Sequence, residues 1–193
     1  MKTVISGMSD DYLQRLALVQ NGLDRTALDR GVAMVESAWQ RGAQIITLGN
    51  GGSAMTALHF VTDWAKMIPA ASGRPFYGRS LIDNIGLVMA YGNDLSFADI
   101  FAEQLKNMMR PGDLVVAVSG SGNSENVIRA VGYANGHGGE TLGLCGFSGG
   151  RLREKAHHAI WVQVDDMQIC EDVHAIFGHI VMQALCRNTV ASV

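Results

Sequence analysis

Two short apolar runs each break into a loop of glycine, serine and asparagine and then into a helical pattern, a succession that few folds accommodate twice. QIITLG (44–49) runs through NGGS into a helix-period stretch over 54–67, and DLVVAVSG (113–120) runs through SGNS into another over 124–135. Runs that are apolar at nearly every residue suit strands covered on both faces, as in a parallel sheet, rather than strands with one wet face. TLGLCGF (141–147) and AIWVQV (159–164) repeat the pattern, SLID (80–83) is a fainter version, and helical periodicity also marks 96–109 and 168–187. Strands alternating with helices predict a doubly wound α/β fold, its parallel sheet flanked by helices on both faces. Ahead of the first strand, DDYLQRLALVQNGLD and TALDRGVAMVESAWQRG space their apolar residues by three and four, giving two helices with Asp10 and Thr26 as caps. GHGGE (136–140) and FSGGR (147–151) read as turns between elements.

No linker or repeat divides the chain, so its 193 residues are read as one domain, with residues 1–42 as N-terminal helices. A composition of 48% hydrophobic and 17% charged residues with a net charge of −3 suits a compact protein and argues against a nucleic-acid partner. No apolar stretch reads as the roughly 18 residues of a membrane span, and MKTVISGMSDD lacks the apolar core of a secretory signal, so no membrane partner and a cytoplasmic location are expected. Cys145, Cys170 and Cys186 have neither disulfide-framework nor zinc-knuckle spacing and read as small apolar residues. Ten methionines with so few charges predict helical faces buried across subunits of an oligomer.

Each small-residue loop sits where a strand of a parallel sheet feeds a helix N-terminus, the end at which such sheets bind ligands. Unpaired amides and the positive end of the helix dipole favour an anion there, and Ser119, Ser121 and Ser124 add hydroxyl donors. There is no Lys-Ser/Thr of a P-loop, and GNGGS lacks the third glycine of a dinucleotide fingerprint. A phosphate held by neutral donors therefore fits better than a nucleoside triphosphate. His59 and Asp63, four apart on the helix that GNGGS opens, share a face and read equally as half of a divalent-metal site or as a surface hydrogen bond. Glu171 and His179 lie eight apart on the last helix, roughly 12 Å along it, far enough to bracket a ligand. His174 rivals His179 by spacing, or packs against a neighbour.

LGNGGSAMTALHF, then VSGSGNSENVI, then EDVHAIFGH, in that order, resemble the sugar isomerase (SIS) domain family, specifically the phosphoheptose isomerases that act on sedoheptulose 7-phosphate. The resemblance spans nearly the whole chain and implies a five-stranded parallel sheet and a homotetramer with active sites at subunit interfaces. It assigns Ser119, Ser121 and Ser124 to the phosphate and Asn50, Gly51, Ser53, Asn93 and Asp94 to the sugar. It also implies one zinc per subunit on His59, Asp63, Glu171 and His179, with Asp63 or Glu171 as base and His179 as acid for an aldose–ketose isomerisation through a cis-enediol. The chain departs from the family pattern at four pocket positions: Asp63 for glutamate, Gly120 for threonine, Gln168 for aspartate and Glu171 for glutamine. A sugar-phosphate-binding module without catalysis, or an isomerase of another phosphosugar, is the competing reading.

Overall fold

The computed structural model describes residues 7–190. Its five strands are β1 (Ile45–Gly49), β2 (Gly78–Ser80), β3 (Leu114–Ser119), β4 (Glu140–Cys145) and β5 (His158–Trp161). All pair in parallel, in the order β2-β1-β3-β4-β5. Every residue of β1 and β3 is buried, and side-chain alternation sends them to two different cores. Ile45, Leu114, Val116 and Val118 pack with α2 (Arg25–Gln40), α3 (Gly51–Ser72) and α8 (Met167–Val190). Ile46, Leu48, Val115 and Ala117 pack with α5 (Ile100–Met108), α6 (Glu125–Gly136) and the short α7 (Gly150–Lys155). Two further helices have no fully buried residue: α1 (Met8–Asn21), whose Leu16 and Val19 pack against Cys170 and Val173, and α4 (Ile85–Asp94), whose Val88 and Tyr91 pack against the second core.

The local signals differ from expectation at several points. The faint strand β2 covers Gly78–Ser80, starting two residues earlier than SLID, and the chain then forms α4, which the sequence pattern did not resolve. FSGGR is partly helical, since α7 starts at Gly150. The α2 cap is Asp24, whose carboxylate accepts from the Ala27 amide at 3.0 Å, while Thr26 lies inside the helix. Gly7 precedes α1, leaving Asp10 in its first turn. Cys145 and Cys170 are buried, and burial pushes the Cys145 thiol up to about 12, as fits an unreactive packing residue.

The closest helix pair is α3 with α8, which run side by side in the same direction. Gly178 makes this approach possible, because a Cβ there would stand 2.2 Å from the Phe60 ring. Phe60 stacks on Trp64 with centroids 4.9 Å apart, and the Trp64 indole donates to the Gly178 carbonyl at 2.9 Å. Over Met167–Arg187, α8 is after all long and apolar enough to cross a membrane, with a mean hydropathy of 1.2. Those apolar residues are spent here on the core, where Ile169, Val173, Phe177, Val181 and Leu185 are buried. At the start of α8, Asp166 accepts from the Ile169 amide and pairs with Arg15 of α1, while Tyr12 of α1 donates to Asp172 at 2.7 Å. Replacing Gly178 by alanine should destabilise the protein by roughly 1–3 kcal/mol in urea unfolding, the overpacking cost exceeding the ~1 kcal/mol that alanine gains as a helix former.

His174, also on α8, is fully buried, and neither ring nitrogen has a hydrogen-bond partner among the described residues. The Cys145 backbone lies against the ring but does not reach hydrogen-bonding geometry with it. Burial lowers its pKa from 6.5 to about 4. As pH falls through that window the unfolded chain takes up a proton that the native chain refuses, so stability is whole above about 6.5 and declines toward 4. The loss should approach 2–3 kcal/mol, on the order of 1.4 kcal/mol per pH unit. Denaturant titrations across this range should show a shallower slope for His174→Leu; parallel profiles would place the pH dependence elsewhere.

Candidate active site

The strand order turns at β1 and β3: the chain leaves β1 toward β2 on one side and leaves β3 toward β4 on the other. Their following helices, α3 and α6, therefore cover opposite faces, and the loops between part to form the crevice typical of such a switch point. Both small-residue loops open into it. Asn50 and Asn126 bridge them through a reciprocal amide pair, with N–O distances of 2.8 and 2.9 Å. Asn126 is 2% exposed, and its carbonyl oxygen also accepts from the Val127 amide. Nothing in the local pattern singled out Asn126; its only sequence signal is a second asparagine directly after SGNSE.

Between the loops lies a cavity of about 180 Å³, walled by Asn50 and Ser53, by Ser119, Gly120, Ser121 and Ser124, and by Met167 and Glu171 from α8. A cavity of about 980 Å³, at the opposite ends of the strands among Arg41, Arg79, Arg110 and Asp113, is larger but holds neither loop. The Ser124 hydroxyl does not cap α6; it accepts from the Ser119 hydroxyl at 3.4 Å, and both residues line the same cavity. From behind, α7 holds the loop: the Leu152 amide donates to the Gly122 carbonyl at 2.9 Å, and Arg151 donates to Asn123 and Glu125. Gly122 has φ +64° and a Cβ there would lie 2.0 Å from the Gly149 carbonyl oxygen, while a Cβ on Gly150 would stand 2.7 Å from the Gly122 carbonyl, so that contact requires Gly122 and Gly150. Nearby arginines are engaged elsewhere, Arg129 by Asp99 and Glu125 and Arg151 by Glu125. An anion in this cavity would meet hydroxyls and helix-terminal amides rather than side-chain cations.

His59 and His179 bring their Nε2 atoms to 3.0 Å, and Asp63 Oδ2 lies 3.5 Å from the His59 nitrogen. One ligand atom from each of the three falls within 4.8 Å of the others. Those spacings bracket the ~3.3 Å edge of a tetrahedron with ~2.0–2.1 Å bonds, and two imidazoles with a carboxylate form a zinc-like donor set. The cluster is partly open, with His59 and His179 exposed.

Glu171 does not join it. Its carboxylate lies over Gly52, where a Cβ would stand 2.4 Å from Oε1, and among the described residues it has no hydrogen-bond partner. Gly52 meets Glu171 and His59 meets His179, so the two contacts lie seven and eight residues apart along the paired helices, or ~10–12 Å. The expected four-residue convergence is thus split within one chain, because neither helix can fold back on itself over that length. Gly51 opens α3 at φ +54° and is exposed. Asn93 and Asp94 close α4, hydrogen-bonded to each other at 2.8 Å and exposed, outside the serine-lined cavity. His174 is buried and belongs to neither the cavity lining nor the histidine cluster.

Residues 11–146 match the model of the SIS domain family. The phosphoheptose isomerase of Campylobacter concisus is 33% identical over 159 residues, covering 82% of this chain and 84% of that protein. That of Geotalea daltonii is 34% identical over 154 residues, covering 80% of each. The solved structure of a phosphoheptose isomerase from Neisseria gonorrhoeae superposes with a TM-score of 0.86 at 23% identity, covering 95% of this chain and 98% of that one, a likeness of fold. With its sheet order, both loops and this match along most of its length, the chain belongs to the SIS domain family, among the phosphoheptose isomerases.

Proposed function

We propose that the protein is an aldose–ketose isomerase of a sugar phosphate, with sedoheptulose 7-phosphate as substrate, and that each active site is shared between subunits of a homotetramer. The observation that carries this reading is the division of the ionisable groups into two half-sites on the α3–α8 pair. One half is the serine-lined cavity with Glu171; the other is the exposed group of His59, Asp63 and His179. A neighbouring chain that laid its His59, Asp63 and His179 over this cavity would unite them, and the exposed Met55 on α3 gives such a contact apolar surface. Of the expected N-terminal helices over 1–42, residues 1–6 lie outside the described residues; α1, which exposes Leu13 and Leu18, and α2 would pack within the same assembly.

In this arrangement Ser119, Ser121, Ser124 and the α6 N-terminus hold the phosphate, while Asn50, Gly51 and Ser53 face the sugar, with Asn93 and Asp94 reaching it from another subunit. Isomerisation moves one proton between C1 and C2 through a cis-enediol and so needs a base, an acid and a group to steady the enediolate oxygen. Glu171 is the better base. It faces the cavity without a hydrogen-bond partner, whereas Asp63 is drawn into the histidine cluster and would be a ligand. With no metal in the cluster, His179 serves as the acid that moves the hydroxyl proton between O1 and O2; a metal there would take its Nε2, and polarisation of the oxygen would stand in for that proton transfer. One zinc per subunit, held by His59, Asp63 and His179 with Glu171 of a neighbour within reach, would supply Lewis-acid polarisation of the carbonyl oxygen. A binding module without catalysis would have no use for an unpartnered carboxylate facing a phosphate pocket.

Coexpressing a His179→Ala chain with a Ser121→Ala, Ser124→Ala chain tests the shared site. Neither variant alone should convert the ketose phosphate, and mixed assemblies should recover a clear fraction of wild-type turnover; mixtures that stay inactive would confine each site to one chain. Asn126→Ala should leave Asn50 unpaired, cost about 1–3 kcal/mol of stability and weaken phosphosugar binding in calorimetry, since it frees one loop from the other. Unchanged affinity would show that the amide bridge does not position the site.

A further inference from the structure

Met167 and Glu171 are four residues apart on α8 and so share one face, laid along the cavity. Glu171 covers the α3 end, over Gly52, and Met167 covers the serine loop. The Met167 contact is close: a Cβ on Gly120 would stand 2.4 Å from its sulfur and 3.3 Å from its methyl carbon. The thioether thus fills the space that any side chain at position 120 would take, and puts an apolar wall where a hydroxyl could have stood. A ligand reaching from the serine hydroxyls toward Glu171 would run past that wall.

Resting on the isomerase reading above, we propose that Met167 is a specificity-determining residue that selects phosphate monoesters over inorganic phosphate, by packing its thioether on the ester methylene. The phosphate oxygens face Ser119, Ser121 and Ser124 on the other side, so the two parts of the ligand are recognised by different walls. Gly120 is the complement of Met167, because only glycine leaves the thioether its place. A larger residue there drives the flexible methionine out of position rather than breaking the fold.

Calorimetric titration of sedoheptulose 7-phosphate and of inorganic phosphate into wild type, Met167→Ala, Gly120→Thr and the double variant tests the idea. Met167→Ala should weaken the sugar phosphate by about tenfold, as loss of an apolar contact of ~1.4 kcal/mol would, while inorganic phosphate binds within twofold of wild type, which also confirms an intact loop. Gly120→Thr should weaken both ligands, and adding Met167→Ala should restore inorganic phosphate but not the preference for the ester, a non-additive cycle. Equal losses for both ligands in Met167→Ala, or additive effects in the double variant, would overturn the role of Met167 while leaving the isomerase reading intact. Failure of the sugar phosphate to bind wild type at all would overturn both.

Discussion

The contact between α3 and α8 fixes the rest of the site. It rests on a missing Cβ at Gly178, which lets Phe60 lie against the α8 backbone, and on the Trp64 indole bonded to the Gly178 carbonyl. Both helices carry functional groups at each end of this contact, so their register decides which groups meet. Gly52 under Glu171 and His59 against His179 are two readings of one register. Helix rise then holds the two meetings ~10–12 Å apart, and no side-chain rotation closes that distance. A chemistry that needs both groups at the same pair of carbons has to find the second one outside the chain, which makes oligomerisation part of the catalytic argument rather than an addition to it.

The electrostatic design of the cavity is equally constrained. With its arginines committed to Glu125 and Asp99, the anion end offers only hydroxyls and amides. Such donors balance a phosphate without adding a side-chain cation that would pair with Glu171 and hold its carboxylate ionised and engaged. In the proposed mechanism a carboxylate left without a partner would accept a proton from carbon, and a phosphate held by neutral donors would leave it so. The amide bridge between Asn50 and Asn126 keeps the two ends of the ligand site in register without introducing charge.

Much of this was legible in the sequence because parallel strands covered on both faces cannot hide: β1 and β3 are apolar at each position that counts, and both loops follow them directly. α4 was missed because IGLVMAYGND exposes Ile85 and Met89 and has no polar face to give it a period. α7 was missed because two glycines stand at its start, and Gly150 is there to meet Gly122, seen only once the loops are in place. The same applies to Asn126, whose partner lies 76 residues away. The separation of Glu171 from His179 was legible too: eight residues on one helix read as about 12 Å, and the register of α3 against α8 keeps them that far apart.

The exposed apolar surface points the same way. Met55 lies on α3 between Gly52 and His59, while Ile85, Met89, Leu95 and Phe97 lie on and just beyond α4, all more than half exposed. Isolated apolar residues on a surface need no explanation, but Met55 stands one turn before His59 on α3, and Ile85 and Met89 precede Asn93 and Asp94 on α4, on the side of the other core. A face that is both apolar and lined with unused polar groups is poorly suited to water and well suited to a second copy of the chain. Burying it would exclude solvent from the half-sites at the moment it joins them, so the same contact that stabilises the assembly would dry the cavity in which Glu171 must work.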